Sequence, residues 1–307
     1  MNKGGHPMII DCAIIGGGPA GLNAALVLGP AKRSTMVFDA NQPRNAVTPE
    51  SHGFLTRDGV KPDEFRALAA QEIRKYPSVT IQQSLITAVR KQESSFEVVV
   101  NDRRAYRART VILATGLKET LPAIDGIHDY YGKSLFSCPY CDGWELKDRP
   151  LVVISEGERI FHMAKIVWNW SRDLLICTNG HHVLTSEQKE VLHQKEIQVV
   201  EDSISTLVSK HGQLERIVFA SQGERWREGG FAGTRLFQAS PFGPGLGCEM
   251  NAHGGIVIDQ LGRTSVPGVY AAGDASIDSP SQLIIAAAVG SRAAAGVNTD
   301  LTESEFL

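Results

Sequence analysis

Two thiols three residues apart form the most reactive group in this chain, within Phe136-Ser137-Cys138-Pro139-Tyr140-Cys141-Asp142-Gly143. Cysteines at that spacing can close a small disulfide ring, and at a helix N-terminus the dipole stabilises a thiolate. Such a pair suits thiol–disulfide exchange. Half of a zinc site and two core cysteines are the competing readings. A four-cysteine zinc site needs a second pair, whereas Cys12, Cys177 and Cys248 are scattered singly, so no metal site is expected. Cys12 and Cys177 lie in apolar strand-like runs and read as core residues, and Cys248 as structural. The redox reading of the pair leads.

A second constellation, Gly16-Gly17-Gly18-Pro19-Ala20-Gly21, fits G-x-G-x-x-G directly after a strand and at the start of a helix. Gly16 permits the tight turn, Gly18 lets backbone approach a pyrophosphate, and Gly21 allows close helix–strand packing. The pyrophosphate then rests on the positive helix N-terminus that begins Pro19-Ala20. Asp39 ends the next strand, where an acid accepts hydrogen bonds from a ribose hydroxyl. This motif alone does not separate NAD from FAD. The tail Thr264–Asp274 resembles the second FAD fingerprint of two-dinucleotide-binding flavoproteins, and Ala114-Thr115-Gly116 resembles their short A-T-G element. The resemblance implies that Gly273-Asp274 meets the ribityl chain. It also implies that a helix opening at Gln282-Leu283 points its N-terminus at the flavin pyrimidine ring. FAD is therefore the expected cofactor.

The elements that must position these groups read as an α/β chain. Met8–Ile15 is a buried-strand run, Ala20–Leu28 a helix, Thr35–Asp39 a strand and Pro62–Tyr76 an amphipathic helix. Gln42–Lys61 reads as a long functional loop. Thr80–Val89, Ser95–Val100 and Val111–Ala114 read as strands, and Gly116–Pro122 as a linker. A second strand–helix–strand start follows, with Leu151–Ile154, Ile160–Trp170 and Leu174–Thr178. The expected fold is two Rossmann-like, three-layer dinucleotide-binding domains, one inserted in the other. The boundaries are drawn at 8–119 plus 242–307 for the FAD-binding domain and 120–241 for the domain carrying the cysteines.

Taken together, these motifs resemble the low-molecular-weight thioredoxin reductase family over the whole chain. That resemblance implies that Cys141 forms the charge-transfer thiolate beside the flavin, and that Cys138 attacks the external disulfide. Asp142 would protonate the departing thiolate, a role suited to a carboxyl in a partly buried site. The family also implies a homodimer whose domains rotate to present the dithiol alternately to flavin and partner. Arg44-Asn45 and His52-Gly53-Phe54-Leu55-Thr56-Arg57-Asp58-Gly59 resemble a subgroup of these reductases and the related fungal dithiol oxidases. Those oxidases usually carry His after the second cysteine, so Asp142 leans toward a reductase.

One family element is missing. After Leu151–Ile154 the second nucleotide loop reads Ser155-Glu156-Gly157-Glu158-Arg159, with two carboxylates where phosphates should go. The expected basic cluster is replaced by Thr178-Asn179-Gly180-His181-His182. This speaks against NADPH or NADH binding in the usual way, and makes a ferredoxin or flavodoxin-type donor the expectation. His181 and His182 read as a solvated turn, and Trp168 and Trp170 as packing. The leading function is reduction of a thioredoxin-like protein or small-molecule disulfide. The alternatives are a dithiol oxidase using oxygen and a non-catalytic FAD-bound redox sensor.

Bulk properties narrow the partners. Across 307 residues, 31 basic against 34 acidic side chains leave a net charge of −3, with 42% hydrophobic residues. That balance fits a globular chain with room for two domains and argues against nucleic acid and anionic membranes as partners. The run from Met8 to Leu28 is interrupted by Asp11 and glycines, so it does not read as a secretion signal. Few cysteines and no apolar run of roughly 18 residues give a cytoplasmic expectation.

Overall fold

The computed structural model describes residues 9–276 and 282–307, the side chain of Lys210 aside. Met8, which opens the expected first strand and first domain, lies outside the described residues. The chain begins with β1 (Ile10–Ile15), α1 (Pro19–Leu28), β2 (Thr35–Asp39), α2 (Pro62–Ile73) and β3 (Val79–Gln83). Then come β4 (Ile86–Lys91), β5 (Phe96–Val100) and β6 (Ala105–Leu113). The stretch expected as one strand over 80–89 is two. β3 pairs in parallel with β2, whereas β4 pairs antiparallel with β5, so the chain changes partner strand between them. It does so at Ser84, whose N–H donates to the Asp39 carbonyl at 2.9 Å.

The segment read as a linker forms β7 (Leu117–Thr120). After it come α3 (Ile127–Tyr130), β8 (Leu135–Phe136), α4 (Pro139–Asp142), β9 (Leu151–Ile154), α5 (Ile160–Val167) and β10 (Leu174–Cys177). The chain continues through α6 (Ser186–Gln194), β11 (Gln198–Val200), β12 (Ile204–Lys210), β13 (Gln213–Phe219), β14 (Glu224–Trp226), β15 (Gly229–Ala232) and β16 (Arg235–Gln238). It ends with α7 (Phe242–Gly245), β17 (Val269–Ala271) and α8 (Leu283–Phe306). β7 and β16 pair with each other in a two-stranded sheet.

The first unit comprises the chain up to Ala46, Gly53–Lys118 and Phe237–Leu307. Its seven-stranded sheet runs β3-β2-β1-β6-β5-β4. β17 pairs with the C-terminal half of β6, beyond the part that pairs with β5. β1 is a continuous apolar run because both its faces are covered. Cys12 and Ile14 enter a core shared with α1 and α8, while Ala13 and Ile15 enter the opposite core with Phe38, Val98 and Leu113. Small residues let α8 lie against α1. A methyl group on Gly290 would stand 2.1 Å from the Ala20 carbonyl oxygen. Gly290→Ala is therefore expected to cost at least about 1–3 kcal/mol of stability by overpacking, read as a lower urea midpoint.

The second unit comprises Val47–His52 and Glu119–Leu236. It thus closes five residues before the boundary expected from sequence and includes part of the segment read as a first-domain loop. Its parallel sheet runs β11-β10-β9-β15-β8. Val152 and Ile154 of β9 face one core, and Leu151 and Val153 face the other. The antiparallel β12-β13-β14 sheet covers the first of these. The parallel strands β3-β2-β1-β6 with β17 in one unit and β11-β10-β9-β15-β8 in the other agree with the expected pair of Rossmann-like layers. No helix among the described residues is long and apolar enough to cross a membrane.

Candidate active site

In the first unit the expected cofactor residues follow the C-terminal ends of neighbouring strands. Ile15 of β1 and Ala271 of β17 are both in register with Leu113 of β6, so these three strands end level. The loops that leave them carry Gly16–Gly21, Thr115-Gly116 and Gly273-Asp274. Gly16 sits at φ +112°, and a methyl group there would meet the Ala114 carbonyl oxygen at 2.1 Å. A methyl group on Gly18 would meet nothing within 4 Å. Gly18 caps α1 without a side-chain acceptor, so no capping side chain occupies the N-terminus of this ten-residue helix. That cradle fits a pyrophosphate. Pro19 and Ala20 open the helix.

The rim of the cradle is polar and paired. Arg66 donates to the Asp39 carboxylate through Nη2 and to Asn41 Oδ1 through Nη1 at 2.8 Å. Arg44 Nη2 donates to Asp274 Oδ2 at 2.9 Å, and Asn45 follows Arg44 in a single 3₁₀ turn. Ser240 Oγ donates to Thr115 Oγ1 at 3.2 Å. Gln282 caps α8 and Leu283 begins it, so this helix starts where the flavin fingerprint anticipates one. These residues fit FAD, which when bound supplies two-electron redox chemistry.

In the second unit Cys138 and Cys141 are joined as a disulfide with Cα atoms 5.3 Å apart. Cys138 is the N-cap of α4, Pro139 presets its first turn, and Cys141 and Asp142 N–H both donate to the Cys138 carbonyl. Trp170 braces this turn, meeting the Tyr140 ring edge-on at 5.8 Å and lying against Gly143. Tyr140 and Trp144 are exposed beside the disulfide, with Lys147 Nζ 3.2 Å above the Trp144 ring.

Asp142 is buried, and burial pushes its carboxyl up to about 7, with the Glu145 charge adding and the His52 charge opposing. A cavity of about 220 Å³ adjoins it, lined by Glu50, His52, Lys133, Asp142, Glu145 and Arg149 over Phe136 and Leu146. His52 Nε2 lies 3.6 Å from Glu145 Oε1 and 3.7 Å from Glu50 Oε2.

The other cysteines take no part in this site. Burial drives the Cys12 thiol up to about 12 and raises those of Cys177 and Cys248. All three are buried and reduced.

The second unit's nucleotide edge differs from the first. β9 and β10 end level, Ile154 opposite Cys177, and a dinucleotide binds in the crevice beyond such strand ends. Glu156 occupies that mouth. Asn179 Nδ2 donates to its Oε1 at 2.8 Å, while Asn179 Oδ1 accepts from Ile204 N–H at 2.9 Å. His181 and Arg235 approach the same carboxylate at 3.9 and 3.8 Å. His182 is solvated, as expected for this turn, and stands 3.5 Å from Glu201.

The pyridine nucleotide-disulphide oxidoreductase family model matches residues 10–290. The chain belongs to this family. It is similar to a Bacillus anthracis protein assigned as the thioredoxin reductase TrxB, with 48% identity and TM-score 0.93 over 96% of this chain and 99% of that one. A structure named HlmI is 32% identical with TM-score 0.93, covering 99% of this chain and 96% of that one. A thioredoxin reductase of Gibberella zeae is 30% identical, over 95% of this chain and 98% of that protein. The chain is thus an FAD-dependent disulfide oxidoreductase of the thioredoxin reductase type.

Within that family frame, Arg66 is the neighbour of the site that sequence reading misses, because it sits in an ordinary helical context with no local signal. Asn179 is legible only as part of a turn, and its partner Glu156 comes from the structure. Trp170 packs as its sequence context implies, and its packing partner is the redox turn itself.

Proposed function

We propose that Cys138 and Cys141 pass electrons from FAD to the disulfide of a thioredoxin-like protein or a small molecule, with Asp142 as the proton donor. FAD is held by Gly16, Gly18, Pro19, Ala20, Gly21, Asp39, Arg44, Asn45, Thr115, Gly116, Gly273, Asp274, Gln282 and Leu283. The exposed faces of Tyr140 and Trp144 beside the disulfide support a docking partner. The electron donor is a ferredoxin or flavodoxin-type protein rather than NADPH or NADH. One observation carries that choice. The first unit presents an open cradle at Gly18, whereas a carboxylate tied to Asn179 stands in the mouth of the second.

A phosphate placed beside Glu156 meets a like charge, and moving Glu156 aside breaks its bond to Asn179. Anaerobic mixing with NADPH and then NADH is expected to leave the flavin absorbance unchanged at micromolar cofactor, while dithionite and dithiothreitol bleach it. Rapid bleaching by NADPH would overturn the donor assignment and return the protein to ordinary nicotinamide-driven reduction. Where NADPH leaves the flavin unchanged, Glu156→Gln tests the cause, because neutralising this carboxylate is the smallest change that reopens the mouth.

A further inference from the structure

We infer that His52 is the positioning residue that reloads Asp142 with protons, through a relay reaching solvent past Glu50 and Glu145. The inference rests on the proposed roles of Cys138, Cys141 and Asp142. Re-forming the dithiol breaks the S–S bond and makes two S–H bonds. The two electrons come from the established activity, and the two protons must come from water. Asp142 is a buried carboxyl that holds one proton and has to be recharged before it can deliver another.

Exposure rises along a short series, from the whole Asp142 residue to the side chains of its neighbours. Asp142 is 8% exposed, the His52 side chain 17%, Glu145 41% and Glu50 52%. The cavity between them contains these four groups with Lys133 and Arg149, so every charged lining group is either part of the series or a cation at its wall. An imidazole accepts a proton at one nitrogen and releases one from the other, which a carboxylate or a lysine cannot do in the same geometry. Its Nε2 faces both glutamates, and its charge already acts on the Asp142 carboxyl.

The location of His52 supports a dedicated role. Val47–His52 belongs to the second unit although the residues on either side of it belong to the first. The segment thereby brings a titratable ring to a carboxyl whose own local sequence supplies none. The cost of such an excursion is the ordering of six residues, and packing alone would be served by an apolar side chain at position 52.

The test uses the FAD-loaded protein and dithiothreitol, following flavin bleaching and, after acid quench, alkylation of the Cys138 and Cys141 thiols by mass. His52→Gln is expected to slow both about tenfold above roughly pH 7, where Asp142 is ionised, and less at lower pH. Added imidazole should restore the rate in proportion to its concentration, because removal of the ring leaves space beside a preformed cavity. Asp142→Asn should be slow at every pH and unresponsive to imidazole. Glu145→Gln should move the pH profile of bleaching to lower pH, since its charge helps to hold the Asp142 carboxyl protonated.

Equal rates for His52→Gln and the parent protein at every pH would overturn the relay, as would slowing that imidazole does not repair. Failure of dithiothreitol to bleach the parent protein's flavin would be a different result, because it removes the flavin–dithiol coupling on which the relay depends.

Discussion

Replacing Asp142 with asparagine should make the protein more stable near pH 8 while slowing disulfide reduction by about two orders of magnitude. Both effects have one cause. Burial, assisted by the Glu145 charge, raises the folded-state carboxyl to about 7 from an ordinary 3.8. Below the lower value the carboxyl is protonated in both folded and unfolded chains, and its titration contributes nothing. As pH rises through the window, the unfolded chain ionises first, so stability is lost until the folded carboxyl ionises near pH 7. The gap corresponds to ~4 kcal/mol at about 1.4 kcal/mol per pH unit. Asparagine does not titrate, so Asp142→Asn avoids this loss, less whatever its amide fails to satisfy by hydrogen bonding.

Urea denaturation at about pH 4 and pH 8 measures this directly. The gain should be near zero at the acidic end and reach up to ~4 kcal/mol at the alkaline end. An equal gain at both would show that packing, not the buried charge, sets the difference. A stabilised protein that has lost turnover is the pattern expected of a functional residue held in an unfavourable environment.

Cys141→Ser should have the largest effect on activity, lowering disulfide turnover by roughly four orders of magnitude or more while FAD remains bound. The cradle at Gly18 and the cysteine pair belong to different units, so losing the thiol leaves the cofactor residues untouched. The change in stability should be small, because a disulfide spanning three residues constrains little of the unfolded chain, at most ~2 kcal/mol. Cys138→Ser should abolish turnover equally but keep the Cys141 thiol. If Cys141 is the flavin-facing partner, only Cys138→Ser will show a long-wavelength thiolate band. Appearance of that band in Cys141→Ser instead would reverse the two roles, and residual turnover within tenfold of the parent would remove the pair from the reaction.

The parts of this protein legible in its sequence are those whose geometry is settled within a few residues. A strand, a glycine turn and a helix occupy consecutive positions over 10–28, and the pattern that names them is also the pattern that folds them. The same holds for Cys138–Asp142, where Pro139 starts the turn and the two thiols need no distant residue to meet. Continuous apolar runs such as Leu151–Ile154 announce strands buried on both faces, because polar residues on either face would go unsatisfied.

What lay beyond sequence reading depends on where the chain goes between elements. Nothing around His52 indicates Asp142 as its neighbour, since that meeting exists only because Val47–His52 crosses into the second unit. Glu156 could be recognised as an unwelcome charge, but its attachment to Asn179 follows from β9 and β10 ending level. Likewise the supposed linker at Leu117 became a strand only when Arg235–Gln238 arrived to pair with it. Local backbone preference can specify a turn or a strand, whereas the partners of a side chain across the fold are specified by sheet order and register, which many different local sequences could share.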